Sequence, residues 1–350
     1  GEIWRVPVDK SAPSKIPFEA EVKLEMGPEV KFAYAIDTAA TFTARQIRDV
    51  QPSPDGKSLA FVALARVYVM SFADMKPVRV TTASTGEFNP VWSPDGKSLA
   101  YVTWEDARGG QIMRADRDAR GSWRTRPLTG MAGLYTDLAW SPSGTRIVAS
   151  RAAAREMQEA GGAFFGPAAS ELIWVPATGG TPTMIMPAGG LAAPHFTRDT
   201  SRIYAYSFSG GLQSFRWDGT DVQTHLRVTG PMPPNAGNLD AALVAKEAQF
   251  NFGGRAARPS SQGMHLDDDH GMEPTPSAPP ASLILMAPTG DQALATVGMD
   301  LYVVTVPQVG ASAATVSVAS PANAPVPVKK LNTVGGEFGT WSHDGRKVHW

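Results

Sequence analysis

The sequence predicts an all-β fold, a six-bladed β-propeller of four-stranded antiparallel blades whose last blade is shared between the N- and C-termini. Three observations support this prediction. One turn sequence recurs at one phase, each copy is followed by a strand-like apolar run, and the two ends carry complementary halves of the repeat. The alternative, a β-sandwich with many hairpins, is disfavoured because a sandwich does not repeat one turn sequence at a fixed phase.

The repeat unit begins with an apolar residue and continues with a Ser-Pro-Asp-Gly turn and an apolar strand. Its clearest copies are Pro52–Val62 and Trp92–Val102, and Trp140–Val148 follows. They begin at positions 52, 92 and 140, which gives spacings of 40 and 48 residues, near the roughly 40–45 residues of a four-stranded blade. Three more degenerate copies begin at Phe196, Met286 and Trp341.

The Ser-Pro-Asp-Gly sequence has the chemistry of a tight turn between two strands. Proline presets φ, aspartate bonds its own backbone and glycine accepts a positive φ. The run Leu59–Leu64 after the first turn is apolar on both faces, as a strand between neighbouring sheets requires. A third strand-like segment, Val67–Met70, and a fourth, Val78–Thr82, complete the unit. We name the strands A, B, C and D in chain order, with the repeated turn between A and B.

The two ends of the sequence look like two halves of one blade. Glu2–Val8 and Ser14–Phe18 match strands C and D, whereas Gly339–Trp341 and Lys347–Trp350 match strands A and B. Sharing a blade between the ends would close the ring of blades and leave no unpaired strand edges at its ends. Residues 1–350 are therefore predicted to form a single propeller in which Ile3–Val8 pairs with Lys347–Trp350. The abrupt ends suggest a piece of a longer polypeptide.

Four insertions interrupt the repeat. Residues 19–44, 151–170 and 229–282 fall in D–A or B–C connections and are predicted to project from one face, the second of them beginning with a helix-like RAAAREMQEA. Residues 307–327 fall in a C–D connection on the opposite face. The segment 253–281 is rich in Pro and Ser and is predicted to be a disordered low-complexity insertion. Long loops on a rigid scaffold often carry function, so the face of the first three insertions is predicted to make the functional contact.

Composition excludes several classes of function. The net charge of the 350 residues is −1, so the sequence lacks the excess positive charge that is typical of nucleic-acid-binding proteins. No window of eighteen apolar residues predicts a membrane span. The sequence contains no cysteine, so disulfides, thiol catalysis and cysteine metal sites are excluded.

The repeat resembles the TolB-like, or WD40-like, propeller repeat of exported bacterial proteins. Longer stretches, including GEIWRVPVDKSAPSKIPF and FTARQIRDVQPSPDGKSLAF, look like the propeller region of large bacterial amidohydrolases. This resemblance implies further propeller repeats and a catalytic barrel in the same polypeptide as partners. It implies a zinc-type divalent metal in that barrel and a periplasmic or secreted location. A homo-oligomer is left open.

The sequence offers no catalytic motif. It contains no His-x-His pair of the kind that amidohydrolase barrels use to hold metals, no Gly-x-Ser-x-Gly and no P-loop. The first interpretation is therefore a non-catalytic propeller domain that docks onto or gates the barrel of an amidohydrolase. The alternatives are a TolB-like periplasmic scaffold for protein interaction and the propeller cap of a prolyl-oligopeptidase-type serine peptidase. No catalytic residue and no cofactor is assigned to this chain.

A few residues are weighed as candidate sites. Metal ligation is conceivable at His265, Asp267, Asp269 and His270, because imidazole and carboxylate bind zinc or calcium. Their Pro/Ser-rich flanks favour a solvated acidic loop, so no metal site is predicted. The repeat tryptophans are interpreted as packing between blades. His195, alone before the fourth turn, is interpreted as structural.

Overall fold

The structure is a computed structural model of the 350-residue chain. It describes residues 3–8, 11–23, 39, 41, 43–159, 170–231, 278–307 and 312–350. The chain divides into two compact units, residues 1–43 and residues 44–350. In the first unit, β1 (Ile3–Arg5) and β2 (Ser14–Ile16) form an antiparallel hairpin.

The second unit contains five complete blades of antiparallel strands in the order A-B-C-D. Blade 1 consists of β3 (Ile47–Pro52), β4 (Ser58–Ala63), β5 (Arg66–Ser71) and β6 (Pro77–Arg79). Blade 2 consists of β7 (Gly86–Trp92), β8 (Ser98–Trp104), β9 (Ile112–Arg117) and β10 (Trp123–Pro127). Blade 3 consists of β11 (Leu134–Trp140), β12 (Arg146–Ala152), β13 (Glu171–Pro176) and β14 (Thr183–Pro187).

Blades 4 and 5 are joined by an additional strand. Blade 4 consists of β15 (Leu191–His195), β16 (Arg202–Ser207), β17 (Gly211–Arg216) and β18 (Gln223–Thr229), and blade 5 begins with β19 (Leu283–Met286), β20 (Gln292–Val297) and β21 (Asp300–Thr305). The chain then forms β22 (Ala314–Ser317), a short 3₁₀ helix (Pro321–Asn323) and β23 (Val328–Lys330), which is strand D of blade 5. Strand β22 pairs in parallel with β18 of blade 4. The C–D connection thus covers the outer edge of the neighbouring blade, which the sequence pattern did not predict.

The repeat turns have the predicted chemistry. In blade 1, the Ser53 hydroxyl donates to Asp55 Oδ1 at 2.6 Å and the Lys57 amide donates to the same oxygen at 3.0 Å. These bonds hold the pKa of Asp55 below its usual value. Gly56 follows at φ 66°, a conformation that glycine adopts without strain. The same Ser-to-Asp bond recurs at Ser93.

The core lies between adjacent blades, and the repeat tryptophans belong to it. Trp92 Nε1 donates to the carbonyl of Gln51 at 3.1 Å, and Trp140 Nε1 donates to that of Val91 at 3.2 Å. Both indoles are buried. The hydrogen bond of each indole therefore links strand A of its blade to strand A of the preceding blade. This confirms the packing interpretation.

The described residues form five complete blades and a two-stranded half-blade, so the prediction of six complete blades was wrong. The sixth ring position holds only β24 (Thr340–Trp341) and β25 (Val348–His349), with Trp341 Nε1 bonded to the Leu285 carbonyl of blade 5 at 3.0 Å. On its other side β25 contacts β3 of blade 1. Among the described strands, β25 pairs only with β24, and β1 pairs only with β2. The β1–β2 pairing is the one expected between strands C and D, and it occupies only one edge of β1.

The predicted insertions are partly described. The connection between β12 and β13 begins with the helix α1 (Ala154–Gln158), as the helix-like sequence predicts. Most of the predicted disordered segment, residues 253–277, lies outside the described residues. Its last four residues are described and ordered against blade 4: the Gly230 amide donates to the Pro279 carbonyl at 2.8 Å, and Ala281 is buried. The prediction of disorder was therefore wrong for residues 278–281.

Candidate functional site

Strands A carry a β-bulge at one repeated position. The register of β3 against β4 shifts between Arg48 and Gln51, and equivalent shifts occur in blades 2, 3 and 4. The bulged residues have left-handed backbones, with φ of 52° at Asp49, 47° at Asn89 and 56° at Asp137. Asp and Asn are the non-glycine residues that tolerate this region best. Bulges re-aim side chains and occur often beside functional sites.

The three bulged residues are linked from blade to blade. Asn89 donates from its backbone nitrogen and from Nδ2 to Asp49 Oδ2, at 3.0 and 3.1 Å. The backbone nitrogen of Asp137 donates to Asn89 Oδ1 at 3.3 Å. We call Asp49, Asn89 and Asp137 the polar ladder. Because successive strands A contact one another, the ladder lies on the innermost strands of blades 1 to 3.

The ladder is confined to those three blades. In blade 4 the bulged residue is Ala193, at φ 50°, and it brings no polar side chain. Blade 5 has no register shift between β19 and β20. The sequence analysis missed the ladder, although a signal exists: an Asp or Asn stands three residues before the first residue of the repeat at Pro52, Trp92 and Trp140.

His195 joins blades 4 and 5, where no repeat tryptophan is present. Its Nε2 accepts the Met286 amide proton at 2.8 Å, which leaves Nδ1 to donate to the Ala193 carbonyl at 2.9 Å. Tyr204 lies between this ring and that of His225, with centroids 5.9 and 5.2 Å away. Burial lowers the pKa of His195 to about 4. The neutral imidazole is a structural bridge, as the sequence interpretation had it.

This bridge predicts a loss of stability in mild acid. In the unfolded chain His195 is protonated below its ordinary pKa of 6.5. In the folded chain the pKa of His195 is about 4, so protonation occurs only near that pH. Stability therefore falls as the pH falls through this window, by up to about 3 kcal/mol in total. Urea unfolding at pH 7.5, 6, 5 and 4 measures the effect.

Two variants isolate the contribution of His195. In His195→Gln the slope of stability against pH between 6.5 and 4 should decrease by about one proton, although the starting stability is lower. Exposed Met131 provides the control, since Met131→Gln changes no titratable group and should leave the slope unchanged. The pKa of His225 is also lowered, by burial and then by Arg202, so some slope will remain. An unchanged slope in His195→Gln would refute the assignment.

One face of the second unit exposes more apolar side chains than the other. The loop face consists of the B–C and D–A connections, and the turn face of the A–B and C–D turns. Large exposed apolar residues of the loop face are Leu64, Met131, Met157, Met299 and Val334, with exposed fractions of 64%, 61%, 40%, 44% and 81%. On the turn face the corresponding residues are Phe72, Met75 and Val222.

The loop face is also braced between blades 2 and 3. Gln158, at the end of α1, donates from Nε2 to the Asp106 carbonyl at 2.7 Å. Asp106 in turn accepts a bond from Trp104 Nε1 at 2.7 Å. Two neighbouring B–C connections are thereby tied together, which gives this part of the loop face a defined surface.

The candidate metal ligands from the sequence lie outside the described residues: His265, Asp267, Asp269 and His270. In the described ranges, no group of three or more His, Asp or Glu side chains is arranged to hold a metal ion. Nor does any helix in the part of the chain that the structure describes have the length and apolar character needed to cross a bilayer.

Comparison with known proteins gives partial matches. No family model matches the chain. Over 90 residues the chain is 33% identical to a Sulfurisphaera tokodaii protein named as a tricorn-like protease N-terminal subunit, a match that covers 25% of this chain and 44% of that protein. Over 97 residues it is 29% identical to YuxL of Bacillus subtilis, named as an uncharacterized peptidase, which covers 26% of this chain and 15% of the relative. The matches thus span less than half of either relative.

Among solved structures, a TolB protein from Agrobacterium tumefaciens aligns with a TM-score of 0.47 and 15% identity. The alignment covers 82% of this chain and 91% of that one.

Proposed function

We propose that this chain is a non-catalytic propeller module that works beside a peptidase, with its loop face contacting the catalytic domain or a partner chain. The observation that carries the proposal is the loop face itself, where apolar side chains are exposed and the connections of blades 2 and 3 are tied together. Five large exposed apolar residues lie on this face against three on the turn face, and exposed apolar surface favours a protein contact. The two sequence relatives named as peptidases or peptidase subunits support the choice of catalytic class.

This proposal replaces the amidohydrolase interpretation. That interpretation depended on a resemblance of sequence stretches alone, and neither curated relative reported above is named as an amidohydrolase. The zinc-type metal, the barrel and the additional propeller repeats remain predictions about a parent polypeptide, as does a periplasmic or secreted location. The absence of a Gly-x-Ser-x-Gly motif from the 350 residues agrees with catalysis by another domain.

A second candidate is a TolB-like scaffold that binds other proteins without any enzyme. It uses the same loop face, so the two candidates differ only in what is bound. A scaffold would hold a non-enzymatic partner, whereas the peptidase module would control access to an active site. Kinetics of the complete natural polypeptide distinguish them: a peptidase module requires that the complete protein cleave peptides.

The contact is tested by hydrogen exchange in the complete natural polypeptide and in the isolated chain. We expect the backbone around Leu64, Met131 and Met299 to exchange more slowly in the complete protein, because a docked domain excludes water there. The comparison region is the turn face around Asp55 and Asp344, where exchange should be the same in both samples. Protection concentrated at those turns would show that the wrong face has been assigned.

Substitutions on the two faces add an independent measurement. Met131→Asp combined with Met299→Asp should weaken the association of this chain with the catalytic domain, supplied separately, at least about tenfold, since each buried apolar contact contributes on the order of 1 kcal/mol. Met75→Asp, on the turn face, is the matched control and should leave the affinity unchanged. Equal effects of both changes would contradict the proposal.

A further inference from the structure

The guanidinium of Arg146 lies over two indole rings, one in strand C of blade 3 and one in the C–D turn of blade 4. Its central carbon is 4.3 Å from the ring centroid of Trp174 and 4.9 Å from that of Trp217. Both indoles pack against the core between these blades. Trp217 Nε1 also donates to the Thr200 carbonyl at 2.9 Å. Cation–π contacts with two anchored rings therefore hold the guanidinium in a defined position.

The same guanidinium has no acceptor for its N–H groups. In the part of the chain that the structure describes, no hydrogen bond or ion pair involves the Arg146 side chain, and its nitrogens are open to solvent. Arg114, which also stacks on an indole, is by contrast bonded to Asp116 Oδ1 at 2.7 Å. Arg146 thus presents a planar fork of unused donors, the group that binds a carboxylate through two parallel bonds.

The repeat shows which partner is missing. Arg202 begins strand B of blade 4 as Arg146 begins strand B of blade 3, and Arg202 Nη1 donates to Asp221 Oδ2 at 2.6 Å. The C–D connections of the two blades, residues 217–222 and 177–182, have the same length. Thr181 therefore occupies in blade 3 the place of Asp221. Blade 3 keeps the arginine and lacks the carboxylate that binds it in blade 4.

The A–B turn that precedes Arg146 also lacks a carboxylate. Ser143 stands where four other repeat turns carry an aspartate: Asp55, Asp95, Asp199 and Asp344. The Ser143 hydroxyl is bonded to those of Ser141 and Thr145, at 3.1 and 2.8 Å. Neither the A–B turn nor the C–D connection of blade 3 therefore supplies a negative charge to this arginine.

We propose that Arg146 binds the side-chain carboxylate of an aspartate or glutamate in a partner peptide, at the place that Asp221 fills in blade 4. The stacked guanidinium is already ordered, so binding costs little additional side-chain entropy. Phe196 stacks on Trp217 with the ring centroids 5.5 Å apart, and these partly exposed rings offer a surface for the residues next to the carboxylate. The site lies on the turn-face side of blades 3 and 4, so it does not depend on the loop face.

Two indole signals can report this binding. In ¹H–¹⁵N spectra the Nε1–H signals of Trp174 and Trp217 are identified with Trp174→Phe and Trp217→Phe. The probe is the blocked tripeptide acetyl-Gly-Asp-Gly-amide at low ionic strength, where charges are least screened. Both signals should shift to saturation, with a dissociation constant on the order of millimolar for one ion pair. The matched peptide acetyl-Gly-Asn-Gly-amide should leave them unchanged. The absence of a shift, or equal shifts with both peptides, would overturn the proposal.

A variant of Thr181 tests the place of the carboxylate without touching the arginine. Thr181→Asp restores the pattern of blade 4 and should pair with Arg146 within the chain. The affinity for the Asp peptide should then decrease at least about tenfold. Thr181→Asn is the uncharged control and should change the affinity by less than about twofold. Equal affinities of these two variants would contradict the assignment, and this comparison remains valid even if substitution of Arg146 unfolds the chain.

Substitution of the arginine completes the test. Arg146→Gln should abolish the shifts. Arg117→Gln is the matched control, because it removes the same charge from an arginine that stacks on one indole only, 5.7 Å from the centroid of Trp123, and it should leave the affinity unchanged. Inorganic phosphate is titrated as a second anion, and tighter binding of phosphate than of the Asp peptide would overturn the choice of a carboxylate. All these outcomes are independent of the proposed peptidase function.

Discussion

Replacing Trp140 with alanine is expected to lower the free energy of unfolding by about 4 kcal/mol, the upper range for large-to-small changes in a core. The indole is 8% exposed and packs with Leu138 and Ile147 between blades 2 and 3. It also donates to the Val91 carbonyl, and the guanidinium of Arg114 lies 5.4 Å from its ring centroid. One substitution therefore removes apolar burial, a hydrogen bond and a cation–π contact.

Chemical unfolding at pH 7.5 checks this expectation. Trp140→Phe keeps an aromatic ring but loses the bond to the Val91 carbonyl, so it should cost clearly less, about 1–2 kcal/mol. Exposed Met131 supplies the control, because Met131→Ala should change stability by no more than about 0.5 kcal/mol. If Trp140→Ala costs no more than Trp140→Phe, the indole does not hold the two blades together.

Glu87→Ala is expected to have an effect of similar size, about 3–4 kcal/mol. Glu87 is fully buried at the junction of blades 1 and 2. Its Oε2 accepts the Val67 amide proton at 2.9 Å, and its Oε1 accepts the Thr81 hydroxyl. The truncation leaves both donors buried without an acceptor, and each unsatisfied group costs about 1–3 kcal/mol. The cavity adds to that loss.

The isosteric change Glu87→Gln separates the charge from the hydrogen bonds. Its amide oxygen can still accept from Val67, and its volume fills the same space, so we expect a loss of about 1–2 kcal/mol. Both variants are compared by urea unfolding, with hydrogen exchange at the Val67 amide as a local measurement. Exchange at Val67 should accelerate in Glu87→Ala and much less in Glu87→Gln. A Glu87→Gln variant as unstable as Glu87→Ala would mean that the negative charge is the main contribution.

The repeat turns and the inter-blade tryptophans could be predicted from sequence because their chemistry is local or repeated. Ser53, Asp55 and Gly56 form their turn through bonds within a few residues. Trp92 and Trp140 occupy the same place in successive units, and a residue at one phase of a repeat meets the same neighbour each time. The predicted helix at the start of the blade 3 insertion was confirmed for the same reason, since its signal is local.

The polar ladder and the His195 bridge depend on contacts between residues far apart in the chain. Asp49 and Asn89 are 40 residues apart, and His195 and Met286 are 91 residues apart. The contact of His195 with Met286 does not recur in the repeat. The Asp or Asn position of the ladder does recur, but its contacts depend on a bulge that gives each ladder residue a positive φ. Such contacts become visible only when the blades are placed side by side.

By itself, the sequence determined the blade: its four strands, its turn, the phase of its tryptophans and the two half-units at the ends. Only the tertiary structure decided how the units close. It placed the hairpin of β24 and β25 at the sixth position, and it laid β22 in parallel along β18 of the neighbouring blade. The physical reason is that a repeat specifies each strand by local pattern and turn chemistry. Pairing between distant strands is instead decided by a competition between edges, in which loop-closure entropy and the burial available at each edge select the partner.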